Sequence, residues 1–385
     1  DPTINRTIKE LSSALKETSH NLIISSHLFP SSEELDELMT IINLPLPNQN
    51  ELKNLIKKIA ANTNSNLDEQ DLNELSIASS GLTEIKVKQV TAKALAQRGK
   101  ISKKDIKDIL EEKKQVIARS EILEFFEAKS SQDDIGGLNV LKVWLNQRYR
   151  AFSKEARDYG LPIPKGVLLV GAQGTGKSLT AKSISKSWSM PLLRLDVGRL
   201  FSSLVGSSEA RTRETISRAE AMSPCILWID EIDKGFGGDA RSDGGTSQRV
   251  LASLLTWMSE KESAVFVIAT ANAIDKLPAE LLRKGRFDEI FFLDLPNSEE
   301  RSSILDLHLK KRRPNYTFPL STIIDRTDGF SGAELEQAVI EGMHISFSEN
   351  RELMEKDLIK AVSELVPLSR TAKEQIDLLK QWSST

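Results

Sequence analysis

The apolar and polar positions divide the chain near Asp134. Residues 1–128 are rich in Leu, Ile, Lys, Asn and Ser. They carry mostly helical patterns, with short strand-like runs at 21–25 and 40–46. The polar stretch 127–134 reads as a connector. Beyond it, compact apolar runs alternate with helical periodicity. Runs at 166–170, 192–196, 225–229 and 264–269 predict buried strands, and 178–188 predicts the helix after the first of them. Such alternation implies a parallel sheet covered by helices on both faces. After Pro296 the pattern is helical again, over 298–311, 331–344 and 355–365. The expected division is an amino-terminal domain at 1–128, a large α/β domain at 129–296 and a helical domain at 297–385.

The two ends of the chain also echo each other. Residues 21–118 and 265–366 both read as a strand, a Pro with an acidic-Leu helix, a second strand ending in Leu-Pro, then a charged helix. Thr40-Ile41-Ile42-Asn43-Leu44-Pro45 stands against the run Ile290 to Pro296, and Ser80 to Thr83 against Gly329 to Gly332. In both places Gly-x-Thr or Gly-x-Ser opens a helix at its N-cap. The shared order of several elements favours a true repeat.

Composition narrows the class. The chain has 385 residues, 39% hydrophobic and 28% charged, as in ordinary globular proteins. A formal charge of −3 gives no global drive toward nucleic acid or acidic membranes. The Lys-rich stretch 86–114 alternates with acids and has no interleaved aromatic, so it reads as a solvated helix surface rather than a nucleic-acid face. One cysteine, Cys225, excludes an internal disulfide framework and suits a reducing compartment. No apolar stretch approaches a membrane span.

The chemistry concentrates after residue 166. Gly171-Ala172-Gln173-Gly174-Thr175-Gly176-Lys177-Ser178 fits G-x-x-x-x-G-K-[ST], with a strand before it and a helix after it. Its glycines let backbone N–H groups turn around phosphate oxygens, and the helix directs its N-terminus at the same place. Lys177 is expected to neutralise the β and γ phosphates, and the Ser178 hydroxyl to complete a Mg²⁺ shell. The apolar run 225–229 ends in Asp230-Glu231, which delivers two acids to the carboxyl edge of the sheet. Asp230 is placed for the metal and its waters, Glu231 for the attacking water.

Together these residues resemble the AAA family of ATPases, over about residues 133–366. Asp134-Ile135-Gly136-Gly137 is similar to that family's lead-in segment, which lines the adenine pocket. The run Val267 to Asn272 resembles its sensor strand, implying that Asn272 hydrogen-bonds the γ-phosphate or the lytic water. Leu282-Arg283-Lys284-Gly285-Arg286-Phe287-Asp288 resembles its second region of homology, implying that Arg283 and Arg286 are arginine fingers for a neighbouring subunit. A fixed guanidinium fork offsets charge on a transferring phosphoryl group in a way lysine does not. The run Gly329 to Leu335 resembles the family's lid helix, with Gly332 and Ala333 near the sugar and phosphates. His308 stands where the family often has a histidine near the ribose. The implied nucleotide contacts are Asp134, Ile135, Gly136, Gly171, Gln173, Gly174, Thr175, Gly176, Lys177, Ser178, Leu179, His308, Gly332 and Ala333.

Leu254-Leu255-Thr256-Trp257-Met258 and Pro367-Leu368-Ser369-Arg370-Thr371 add a resemblance to a narrower group. That group is encoded as a hypothetical reading frame in algal chloroplast genomes and in cyanobacteria. The resemblance implies ATP or ADP and Mg²⁺ as ligands, assembly into a homohexameric ring, and a protein partner. It also implies residence in a chloroplast stroma or cyanobacterial cytoplasm.

Two departures qualify it. Leu204 occupies the pore-loop position where protein-threading members carry an aromatic, so threading is in doubt. The amino-terminal copy has Ser31-Ser32-Glu33-Glu34-Leu35-Asp36-Glu37-Leu38-Met39 where the second has its arginines. It is read as a degenerate, non-catalytic AAA-like module for docking or stacking. A nucleotide-gated scaffold and a nucleic-acid-dependent motor are the alternatives to a remodelling ATPase.

Overall fold

The computed structural model describes residues 2–16, 18–25, 38, 40, 42, 44, 46–63, 65–118, 122–126, 136–201, 207–235 and 246–383. It divides into two compact units, 1–46 and 47–385. The first contains helix Pro2–Leu15. Residues 21–25 form no strand, and Leu22, Ile23 and Ile24 are exposed. The physical reason is that an extended segment becomes a strand only beside an edge that takes its N–H and C=O groups. No described strand of this unit offers one. The described positions of the second run, 40, 42, 44 and 46, also lie outside any strand.

The second unit opens with four helices, Gln49–Asn62, Glu69–Ser79, Glu84–Arg98 and Ile106–Ala118. They enclose Leu52, Ile56, Leu72, Leu75, Leu82, Val87 and Ile109. The carboxyl-terminal lid repeats this order with Ser298–Arg312, Ser321–Arg326, Gly332–Ser348 and Glu355–Glu364, around Leu305, Leu309, Phe330, Leu335 and Leu358. The caps set the register of the repeat. Asn48 Oδ1 accepts from Glu51 N and Asn297 Oδ1 from Glu300 N, both at 3.0 Å, and each Glu side chain accepts back from its Asn N. Pro47-Asn48 therefore stands with Pro296-Asn297, two residues beyond the match drawn from Pro45. Gly81 and Gly329 both take left-handed backbone, at φ 84° and 75°, two residues before the N-caps Thr83 and Ser331.

Between bundle and lid lies a six-stranded sheet of order β1-β3-β4-β5-β2-β6. The strands are β1 Leu123–Phe126, β2 Gly166–Gly171, β3 Leu192–Leu195, β4 Cys225–Ile229, β5 Val265–Ala271 and β6 Glu289–Leu293. All neighbours are parallel except β1, which runs antiparallel to β3 with Leu123 opposite Leu195. Alternation along β2 divides the core into two layers. Leu168 and Val170 join Leu254 and Met258 on one face; Val167 and Leu169 join Leu141 and Ile184 on the other. The mixed α/β class read from the sequence is the observed one.

Strand β1 was not anticipated. It lies on the amino-terminal side of the boundary expected at 128, yet it belongs to the sheet of the large α/β region. The bundle also rests directly on that region. A Cβ on Gly81 would come 2.4 Å from Met222 Cγ, so the Ser80–Leu82 turn sits against the end of helix Ser207–Ala221. Lys113, only 1% exposed, is buried in this neighbourhood, and burial pushes its amine down to about 8. Helix Lys373–Ser383 then returns to the sheet, burying Leu379 in the first of those layers. No helix among the described residues is long and apolar enough to cross a membrane.

Candidate active site

The carboxyl ends of β2, β4 and β5 open into a cleft of about 480 Å³ that the lid helices close from the other side. Strand β2 ends at Gly171, where a Cβ would lie 2.3 Å from Leu293 O of β6. Gly174 and Gly176 follow at φ 78° and 90°, and helix Lys177–Ser187 starts there with its N-terminus toward the cleft. A Cβ on Gly174 would meet Ser331 Oγ at 2.8 Å and Ala333 Cβ at 3.0 Å. The Gly174 carbonyl also accepts from Ala333 N at 3.2 Å, so the glycine loop and the lid touch through backbone.

Lys177 is 6% exposed, and its Nζ donates to Gly171 O at 2.7 Å and Ala172 O at 2.6 Å. Burial pushes its amine down to about 8, against the pull of Asp233, Asp230 and Glu231. An anion in the cleft restores the charged form.

The acidic strand end is held by hydroxyls. Asp230 Oδ1 accepts from Ser178 Oγ at 3.1 Å and from Thr270 Oγ1 at 2.8 Å, while Arg194 approaches Oδ2 at 3.4 Å. Glu231 takes left-handed backbone at φ 51°, a conformation that costs a non-glycine residue about 1 kcal/mol or more. Its N–H donates to Thr270 Oγ1 at 2.9 Å, which holds the turn. Its carboxylate accepts from Asn272 Nδ2 at 2.9 Å and pairs with Lys234 at 2.5 Å. Buried Asp233 accepts from the backbone of Asn272 and Ala273 at 3.3 and 3.2 Å, fixing the end of β5. Gln375, from the last helix, donates to Asn272 O at 3.1 Å.

The far half of the cleft is lined by Gly136, Leu138, Ile304, Leu307, His308, Gly332, Ala333 and Glu336. Glu300 Oε1 accepts from Leu138 N at 3.3 Å, joining the lead-in segment to the lid. Arg312 bonds Glu336 at 2.6 Å and His308 Nδ1 at 3.2 Å. Burial lowers the His308 imidazole below its usual range, with Glu336 opposing and Arg312 assisting.

The structure thus gathers Gly136, Gln173, Gly174, Thr175, Gly176, Lys177, Ser178, Leu179, Asp230, Glu231, Asn272, His308, Gly332 and Ala333 around one cleft. Gly171 supports it from the end of β2. Arg283 and Arg286 do not line it: they sit on the turn after Ala279–Leu282, where Arg286 bonds the Glu280 carbonyl. Asp134, Ile135 and Leu204 lie outside the described residues. Thr270, Asp233, Gln375 and Glu336 were missed. Thr270 alone left a signal, standing two residues before Asn272 within the run Val267 to Asn272 that resembles the sensor strand.

For a metal, Ser178 Oγ and Asp230 Oδ1 present oxygen donors only, at a helix N-terminus. Among the described residues no group of three or more His, Cys, Asp or Glu side chains forms a cage. That donor set suits Mg²⁺, which keeps waters and binds through substrate phosphates.

Comparison with known proteins agrees with this geometry. The family model described as ATPase family associated with various cellular activities (AAA) matches residues 167–295. The chain belongs to the AAA family of ATPases, nucleotide-binding enzymes that hydrolyse ATP. Within it, the chain is similar over nearly all of the given sequence to the AAA domain-containing protein ycf46 of algal plastid genomes. That of Guillardia theta is 46% identical over 387 residues, covering 100% of this chain and 76% of the relative. That of Pyropia yezoensis is 48% identical over 381 residues, covering 98% and 77%. The ATP-dependent zinc metalloprotease FtsH of Cyanidium caldarium is 36% identical over 243 residues, 61% of this chain and 39% of that protein. A model of the SpoVK-like AAA ATPase second domain matches residues 50–120, the helical bundle.

Proposed function

We propose that the protein is a Mg²⁺-dependent AAA ATPase that assembles into a ring, a homohexamer, and remodels or regulates a protein partner in a plastid stroma or cyanobacterial cytoplasm, in service of photosynthesis. The carrying observation is the position of Arg283 and Arg286 on an outlying turn, away from the cleft of their own chain. Guanidinium groups so placed do not line the nucleotide cleft of their own protomer, but they suit the γ-phosphate of a neighbour.

Within the cleft, the backbone of 171–176 and the N-terminus of helix Lys177–Ser187 cradle the phosphates. Lys177 neutralises the β and γ oxygens. Ser178 and Asp230 would hold Mg²⁺, which would supply further charge neutralisation. Glu231 accepts the proton of the attacking water, and Asn272 orients both its carboxylate and the water. Gly136, Leu138 and Ile304 flank the base, and His308, Gly332 and Ala333 the sugar. Residues 1–118 serve as a non-catalytic, AAA-like docking region, ahead of an ATPase region that takes in β1 and runs to 296 and a lid at 297–385.

The test is Arg283→Ala. ATP turnover is expected to fall by a factor of about 10³ even at high protein concentration, with nucleotide binding retained. Full turnover in that variant would refute the trans-acting role. A pull-down with Glu231→Gln, which holds the ATP-bound assembly, identifies the partner. The scaffold reading is separated by a folded, tagged substrate that only a remodeller unfolds.

A further inference from the structure

Arg283 and Arg286 stand on a turn, and a guanidinium acts catalytically only when its support is rigid. The fixtures of that turn converge on the residue before β2. Asp288 Oδ2 accepts from the backbone N–H of Lys165 at 2.8 Å and of Gly166 at 3.0 Å, and Asp288 N donates to Gly166 O at 2.8 Å. These bonds tie the end of the turn to the sheet but leave its apex unsupported.

The apex is Gly285, between the two arginines, with φ 97° and no atom within 4 Å of where a Cβ would be. The Lys165 side chain reaches it. Lys165 Nζ donates to Gly285 O at 2.7 Å and, on its other side, to Ser259 O at 2.8 Å. Ser259 lies in the last turn of helix Thr246–Glu260, where unsatisfied carbonyls carry the negative end of the helix dipole. An ammonium group with several donors on one centre bridges two carbonyls of separate elements, which a neutral side chain of that length does not do. Lys261 braces the adjoining Pro164 O at 3.3 Å, which steadies the base of the lysine.

We propose that Lys165 is the positioning residue of the arginine turn: its ammonium clamps Gly285 to the end of helix Thr246–Glu260 and so fixes Arg283 and Arg286 for the neighbouring nucleotide. This rests on the reading that those arginines act in trans. Lys165 does not line the cleft of its own chain. Its loss therefore weakens the site next door and leaves its own nucleotide affinity intact.

The experiment uses the full chain. Lys165→Met keeps the length of the side chain and removes the donors. Expected is a fall in kcat of about 10-fold or more, with KM for ATP and Kd for ADP within about 2-fold of the parent. Lys165→Arg, which retains charge and donors, is expected to recover most of that loss. Protomers carrying Lys165→Met are then mixed with protomers carrying Glu231→Gln. Mixed rings place an intact turn beside an intact cleft, so turnover rises above either protein alone. A control mixture of Arg283→Ala with Glu231→Gln tests the trans reading by itself. If the control recovers and the Lys165 mixture does not, or if Lys165→Met loses nucleotide binding or keeps parental kcat, the proposal is overturned while the trans reading stands. If neither mixture recovers, the trans reading fails and the proposal falls with it.

Discussion

The side-chain amide of Asn272 donates to the carboxylate of Glu231 across 2.9 Å, although the two residues belong to different strands' ends. This bond aims the carboxylate and leaves its other oxygen to Lys234. Glu231→Gln is expected to lower ATP turnover by about 10² or more, with nucleotide binding preserved. Asn272→Ala should give a smaller loss of the same kind. Phosphate release together with equilibrium nucleotide binding checks both, and a parallel loss of binding would count against the assigned roles.

Thr270 serves both acids, donating to Asp230 Oδ1 at 2.8 Å and accepting from Glu231 N at 2.9 Å. Thr270→Val keeps the shape and removes both bonds. The Asp230 carboxylate loses an anchor and the strained Glu231 turn its acceptor. We expect the Mg²⁺ concentration for half-maximal turnover to rise several-fold, with thermal stability lowered by about 1–3 kcal/mol. Titration with Mg²⁺ at saturating ATP reads the first effect and chemical unfolding the second.

Gly174→Ala tests the contact between glycine loop and lid. The new methyl meets Ser331 Oγ and Ala333 Cβ, and left-handed backbone adds a cost of about 1 kcal/mol. The expected result is a loss of nucleotide affinity of about 10-fold or more, because the lid is pushed from the phosphate loop. Calorimetric titration with ADP measures it.

Lys113 links stability to pH. Its folded amine is pushed down to about 8 by burial, against an ordinary 10.5, with Cys225 opposing that shift. Below about 8 the amine is protonated in both states, and the full cost of burying it is present. Between about 8 and 10.5 the unfolded chain binds more protons, so this contribution to stability rises with pH. Lys113→Met is therefore expected to stabilise the protein at pH 7, by up to about 3 kcal/mol, with the advantage shrinking as pH rises to 10. Paired melting curves across that range provide the check.

Legibility in the sequence followed the locality of the physics. The loop 171–178 and the pair Asp230-Glu231 were plain because a local backbone turn and a strand terminus fix their chemistry. The buried strands at Gly166, Cys225 and Val265 were plain because continuous apolar runs mark a sheet covered on both faces. Strand β1 was not, since Leu123-Glu124-Phe125-Phe126 is short and its identity depends on pairing with Leu192–Leu195. Glu336 and Gln375 were equally silent. Each is an ordinary polar residue on a helix, and only the return of those helices toward the cleft gives it a role. The amino-terminal run 21–25 misled for the converse reason: local pattern was present, but a described partner edge was not.

The pairing of β1 with β3 has a consequence for the solubility of the ATPase region. An uncovered strand edge is a template for another chain, and β3 would present such an edge with Leu193 and Leu195 beside it. The residues that cover it arrive from the bundle side of the chain. A fragment begun at 129 keeps every group assigned to catalysis except those outside the chain itself, yet it bares that edge to its own copies. Strand β1 thus closes the edge that β3 would otherwise leave open.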